Sequence, residues 1–172
     1  MATSTETSHG YPVPASRVAA TMVDETYLRD RLAAVGGTKA ELISLTDNGK
    51  SAAEGKETTV KLRQGIPADK LPSFVRTLVP GDLVIERTET WRPTGEGATA
   101  SVHATVSGAP ATIECSISVS GAGESCRVAG RLQVSVPLPF VGGKVEKAVI
   151  EQVKRLLDTE HEFTERWLRD HP

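Results

Sequence analysis

Aromatic side chains are scarce in this chain: Phe74, Phe140, Phe163, Trp91, Trp167, Tyr11 and Tyr27 are all that 172 residues contain. Seven rings are too few for a platform that stacks successive nucleobases, so the core must be aliphatic. An excess of one charge is missing too. Twenty Lys and Arg against 22 Asp and Glu leave a formal charge of −2, which gives no electrostatic ground for binding nucleic acid or an anionic membrane. No apolar run approaches the ~18 residues of a spanning helix, and Met1 to Ser8 lacks the apolar centre of a secretory leader. The expectation is a cytoplasmic protein with no integral membrane segment. Cys115 and Cys126 are too few for a disulfide framework or a four-ligand metal site. Gly142-Gly143-Lys144 lacks the first glycine and the spacing of a phosphate loop, and no nucleophile elbow is present. Nothing in these patterns asks for a cofactor or a metal. By length the chain is expected to form one domain, residues 1–172, able to bury a core or wrap a cavity.

What the chain does contain is a long amphipathic helix at its end. From Val141 the apolar positions Val145, Val149, Val153, Leu156, Leu157, Phe163 and Trp167 fall mostly three, four or seven apart, on one helical face. Glu151–Arg155, Lys154–Asp158, Glu162–Arg166 and Glu165–Arg169 are opposite-sign pairs four apart, suited to the solvated faces. Such a stripe needs a broad receiver, and the middle of the chain supplies one. Thr3 to Tyr11 is a weak strand candidate closed by Pro12 and Pro14. Ser16 is a candidate cap for a short helix over 17–22, and Asp24 opens a second one that stops at Gly36-Gly37. The period then changes to two, with strands expected over 39–46, 57–66, 83–91, 98–106, 113–119 and 126–136, and Asp47-Asn48-Gly49 as the first turn. Residues 68–81 leave this pattern as an excursion with Leu71, Phe74, Val75 and Leu78 directed inward. Pairing Val119 with Cys126 across the last hairpin sets Cys115 opposite Gly130, about 13 Å along the ladder from the other thiol. That is beyond the ~7 Å Cα limit for a bridge, so two free thiols are expected.

Strands followed by a helix indicate an α+β domain with an antiparallel sheet rather than a βαβ nucleotide fold. The order resembles the START-like (helix-grip, SRPBCC) superfamily. Two stretches resemble the DUF2505 family in particular: Leu71-Pro72-Ser73-Phe74-Val75-Arg76 continuing to Glu86-Arg87-Thr88-Glu89-Thr90-Trp91, and Val136-Pro137-Leu138-Pro139-Phe140-Val141-Gly142-Gly143-Lys144-Val145-Glu146-Lys147 ending in Phe163-Thr164-Glu165-Arg166-Trp167-Leu168. The resemblance implies a curved sheet of about seven strands around the C-terminal helix, with a deep apolar cavity between them. It carries no catalytic residues.

Leu83, Ile85, Arg87, Glu89 and Trp91 share one alternation phase, so if Leu83 and Ile85 face the helix the two charges do as well. An interior Arg87–Glu89 pair would anchor a ligand carboxylate or hydroxyl. The competing reading is a bulge that turns both into solvent. Leu71 and Phe74 are candidates for a lid over the cavity mouth or a plug of the core. Val149, Val153 and Leu156 would form the inner wall of the helix. Asp158-x-x-His161 has the spacing of a carboxylate-bridged metal centre, but no second long helix supplies the other ligands and a solvated face is the simpler reading. His9 is placed near a frayed end.

Three functions follow as expectations. The first is binding, without catalysis, of a hydrophobic or amphipathic small molecule such as a lipid or polyketide-like compound between sheet and helix. The second is an enzyme of the cyclase or dehydratase kind that uses Arg87 and Glu89. The third is a protein-partner module with no ligand.

Overall fold

The computed structural model describes residues 2–51 and 55–172. Seven strands, β1 (Ala2–Tyr11), β2 (Glu41–Ser51), β3 (Gly55–Ile66), β4 (Leu83–Thr94), β5 (Gly97–Val106), β6 (Thr112–Ser120) and β7 (Cys126–Ser135), form one sheet in the order β1-β7-β6-β5-β4-β3-β2. Every neighbouring pair is antiparallel. Helices α1 (Ala15–Thr21) and α2 (Glu25–Val35) follow β1, a 3₁₀ turn (Ala68–Lys70) and α3 (Ser73–Leu78) lie between β3 and β4, and α4 (Gly142–Asp170) ends the chain. This is the α+β helix-grip arrangement, a curved antiparallel sheet and a long C-terminal helix.

Alternation along each strand sends one face to α4, and the register aligns those inward residues into rungs that cross the sheet. One rung reads Thr3, Val134, Ile113, Ala104, Arg87, Leu62, and the next Thr5, Leu132, Cys115, Val102, Glu89, Val60. A third reads Thr7, Gly130, Ile117, Ala100, Trp91, Thr58. The buried face of α4 includes Val145, Glu146, Val149, Ile150, Val153, Glu160, Thr164 and Leu168. Glu146 fastens the start of the helix to the sheet, accepting from Thr3 Oγ1 at 2.7 Å and from the Val136 amide at 2.9 Å. At the far end Arg17 of α1 donates to the Leu168 carbonyl at 2.6 Å. The Asp24 side chain caps α2 through the Tyr27 amide at 2.9 Å, as expected for an acidic residue at that position.

Several local expectations are corrected. Asp47-Asn48-Gly49 is not a turn: β2 runs through to Ser51, and a register shift between Asp47 and Lys50 absorbs the irregularity as a bulge. The residue before α1 is Pro14 rather than Ser16, with no side-chain cap, because a proline there already holds extended backbone. Leu78 on α3 is exposed rather than inward, since Leu71 and Val75 take the buried side of that short segment. In the β6–β7 hairpin Val119 pairs with Val128 and Cys115 with Leu132, a shift of two from the expected register. Both cysteines are nevertheless free.

The apolar interior falls into two clusters. One joins Ile66, Val75, Ile85, Ile113, Val145 and Val153, and the other Val18, Leu28, Leu62, Trp91, Val119 and Leu168. Along β3, β4 and α4 the boundary between them falls at the same level, at Gln64, at Arg87 and Glu89, and at Glu160. A polar layer therefore crosses the middle of the molecule.

Candidate functional site

Four charged side chains meet in that layer. Glu160 on α4 lies 3.2 Å from Arg87 Nη1 and 3.5 Å from Arg31 Nε, and accepts from Gln64 Nε2 at 2.8 Å. Arg87 also donates to Gln64 Oε1 at 3.2 Å. Glu89 receives the Trp91 indole N–H at 2.8 Å on one oxygen and faces Arg87 Nε at 2.5 Å on the other, a charge contact without hydrogen-bond alignment. Two cations and two carboxylates balance, which is what burial of this many charges demands. Burial alone would raise the Glu160 carboxyl, but the Arg31 and Arg87 guanidiniums and the Gln64 amide outweigh it and hold it at about 2.

Arg31 is 2 % exposed. Its Nη1 donates to the Tyr27 hydroxyl at 3.4 Å, and that hydroxyl is 2.6 Å from Thr164 Oγ1. Its Nε and Nη2 have no hydrogen-bond acceptor among the described residues. These two atoms form the side-on fork of the guanidinium, the edge that receives two acceptors or one bifurcated oxygen.

The space between the sheet and α4 has two lobes. A polar lobe of about 80 Å³ is lined by Arg31, Tyr11, Tyr27, His9, His161, Thr164 and Trp91, among others. An apolar lobe of about 50 Å³ is lined by Ile85, Ala104, Ile113, Leu132, Val153 and Leu156. Arg87, Cys115, Ile117 and Leu157 border both. Gly130 lines the polar lobe, and a Cβ there would come within 2.8 Å of Thr7 Oγ1 and 3.3 Å of Cys115 Sγ. Leu156 also faces an open groove of about 720 Å³ between the end of α2, residues Gly65 to Lys70 and α4, so it stands between the outside and the interior.

The residues singled out from sequence divide accordingly. Ile85, Arg87, Trp91, Val153 and Leu156 line the interior lobes. Leu71, Phe74, Leu83 and Val149 do not; they pack against one another where α3 meets the first half of α4, and Lys144 sits 4.3 Å over the Phe74 ring. Phe74 is half-buried against that cluster. Glu89 is inward and buried but is enclosed by Arg87 and Trp91 and does not border either lobe. The two lobes are far below the ~300–1,000 Å³ of a drug-sized pocket and do not by themselves make a deep cavity.

The sequence reading missed Arg31, Glu160, Gln64 as a donor, Tyr11, Tyr27, Thr164 and both inner histidines. His9 is not at a frayed end: it lies in β1, with Nε2 2.8 Å from Asp158 Oδ1 and its ring 4.7 Å from that of His161. Tyr11 meets the His161 ring edge-on at 4.6 Å. Asp158 is solvent-facing, but His161 turns inward, so the two do not share one role. The signal was present at helical spacing, because Val153, Leu157, Glu160, Thr164 and Leu168 continue one stripe in which the polar members look like interruptions.

Comparison with known proteins agrees with this architecture. The chain is 15% identical to a START superfamily protein from Mycobacterium smegmatis, covering 96% of this chain and 98% of that one at a TM-score of 0.55. An aromatase/cyclase, Zhui, from Streptomyces sp. R1128 superposes at 0.56 with 9% identity and 96% of each chain covered. A norcoclaurine synthase from Thalictrum flavum superposes at 0.59 with 14% identity, covering 99% of this chain and 96% of the other. These likenesses concern the fold. An uncharacterized protein of Mycobacterium tuberculosis is 34% identical over 148 residues, 84% of each chain, and the profile described as a protein of unknown function (DUF2505) matches residues 6–168. The chain belongs to the DUF2505 family.

Proposed function

We propose that this protein binds a compact amphipathic small molecule between the sheet and α4, its apolar part in the lobe behind Leu156 and its polar end on Arg31. The observation that carries this reading is the space between sheet and α4 with Arg31 in its lining, a buried guanidinium whose Nη2 has no hydrogen-bond partner among the described residues and whose Nε meets Glu160 only at 3.5 Å. Volume sets the size of the guest. About 80 Å³ beside about 50 Å³ suits a small ketone, alcohol or acid, not a lipid or a polyketide chain, in the arrangement seen. The cyclase or dehydratase reading through Arg87 and Glu89 loses support because Glu89 borders neither lobe.

The test is saturation-transfer NMR with a panel of short-chain and aromatic ketones, alcohols and acids, paired with thermal shift. Saturable one-to-one uptake, weakened in Arg31→Met and abolished in Ile117→Trp, is expected, because Ile117 borders both lobes. A folded wild-type protein that takes up none of the panel would end the proposal.

A further inference from the structure

On the outer side of Leu156, α4 presents a polar stripe to a groove that the binding reading above does not use. Gln152, Arg155, Leu156 and Thr159 are three or four positions apart, so they share one face of the helix, and all four line the groove of about 720 Å³. The rest of the lining includes Ala34 and Val35 at the end of α2, and Ile66 and Pro67 at the end of β3. Strand β3 reaches this place because it outruns its neighbour: its last β2 partner is Glu41, opposite Arg63, so Gly65 and Ile66 have no partner on β2. Asp69 and Lys70 of the 3₁₀ turn complete the surface. The volume lies within the ~300–1,000 Å³ of small-molecule sites.

Gln152 is only 7% exposed, yet its side-chain amide makes no hydrogen bond among the described residues. That amide is not sealed in either. The fully enclosed polar atoms without a hydrogen-bond partner belong to Arg31, Arg87, Glu89 and His161, and no atom of Gln152 is among them. Its Oε1 and Nε2 therefore reach open space, and the space that Gln152 lines is the groove. A side chain held by packing, with its amide left free, offers a donor and an acceptor at a fixed place. Arg155 extends the stripe. Glu151, its expected partner four positions earlier, makes no ion pair with it, and Lys70 is likewise unpaired among the described residues. These two cations against the carboxylate of Asp69 leave the lining with a formal charge of +1.

We propose that this groove binds a medium-chain aliphatic carboxylate, at a site separate from the two interior lobes. The carboxylate accepts from the Gln152 amide and is attracted by Arg155 and Lys70, while the chain lies along Val35, Ile66, Pro67 and Leu156. Charge and wall chemistry select this class. Unpaired cations beside a neutral donor favour an anion, since a hydrogen bond to an ionised acceptor is stronger than one to a neutral acceptor. An alcohol of the same length would meet the amide without gaining from the charge, and an alkylammonium ion would be repelled. No aromatic side chain lines the groove, so nothing there stacks on a ring and a flexible aliphatic chain is the better match. The site stands or falls independently of ligand uptake inside the protein.

The experiment titrates octanoate into the full chain, with octan-1-ol and octylammonium as its neutral and cationic counterparts, and follows affinity by calorimetry and location by amide chemical shifts. Octanoate is expected to bind one-to-one, to shift the amides of Val35, Gly65, Lys70 and Arg155, and to bind about tenfold more tightly than octan-1-ol. Octylammonium should not bind, and added salt should weaken octanoate. The double variant Lys70→Gln, Arg155→Gln alters two exposed positions and should weaken octanoate by about tenfold while leaving octan-1-ol unchanged. Gln152→Met keeps the length of the side chain and removes the amide, with a loss of similar size; circular dichroism checks that it is folded. Ile117→Trp, which fills the interior lobes, should leave octanoate affinity unaltered. Octanoate binding lost in Ile117→Trp and kept in the double variant would overturn the groove site and support the interior reading. Equal affinity for octanoate and octan-1-ol, an unaltered double variant, or no saturable binding of octanoate would overturn the groove site and leave the interior reading to its own test.

Discussion

Glu160 of α4 and Arg87 of β4, 73 positions apart in the chain, meet at 3.2 Å in the layer that separates two apolar clusters. The pair joins the long helix to the middle of the sheet, and Arg31 brings α2 to the same carboxylate. Glu160→Leu should therefore destabilise the protein by about 3–5 kcal/mol, since it leaves two buried cations with one carboxylate. Urea denaturation followed by circular dichroism measures this. A loss below about 1 kcal/mol would mean that the layer is solvated rather than closed.

The same carboxylate sets a pH dependence. Its value in the folded protein, about 2, lies below the ordinary 4.5, so its contribution is full above pH 4.5 and is lost as pH falls towards 2. The contribution is on the order of 3 kcal/mol. Thermal melting from pH 6 down to pH 2 should show a decline of Tm concentrated in that window for the wild type and a much flatter profile for Glu160→Gln.

Leu156 borders both the outer groove and the apolar lobe, and on the binding reading proposed above it would gate passage. Leu156→Ala is expected to accelerate uptake of a bound ketone by about tenfold while costing less than about 2 kcal/mol of stability, because the side chain is only half-buried. Leu156→Trp should slow it. Stopped-flow or NMR line-shape rates distinguish a gate from a passive wall, for which neither change alters the rate.

Gly37 follows α2 with φ +72°, and a Cβ there would lie 2.1 Å from the Gly65 carbonyl oxygen. The Gly65 amide donates to Gly36 at 2.9 Å, so the end of α2 is clamped to β3. Gly37→Ala should cost about 1–3 kcal/mol and weaken ligand binding as well, since Arg31 and Gln64 are carried by the two elements that would be forced apart. Retained affinity in a destabilised variant would uncouple the clamp from the site.

The fold was largely legible because its signals are local. Alternation in Leu83 to Trp91, the Asp24 cap and the terminal helical stripe each follow from neighbours within a few positions. The site was less so. Arg87 and Glu89 could be placed on the inner face by phase, but the partner that makes their burial tolerable, Glu160, lies on another element. Polar residues spaced like apolar ones give no hint of what they meet. Arg31 illustrates the limit: it occupies the turn between Leu28 and Leu32, and only the packing of α2 on α4 shows that its guanidinium is inside. Thr3 to Tyr11 was a weak strand in isolation, yet pairing with β7 makes it a wall of the site and brings His9 and Tyr11 to His161.

Ala104 and Gly130 are small members of the first and third rungs, one beside each lobe. Hydrogen bonding along the ladder does not depend on which side chain those positions carry, so the capacity of the hollow is set separately from the topology that encloses it. Exchanging a side chain at either place would alter that capacity while the strand pairing stayed as it is.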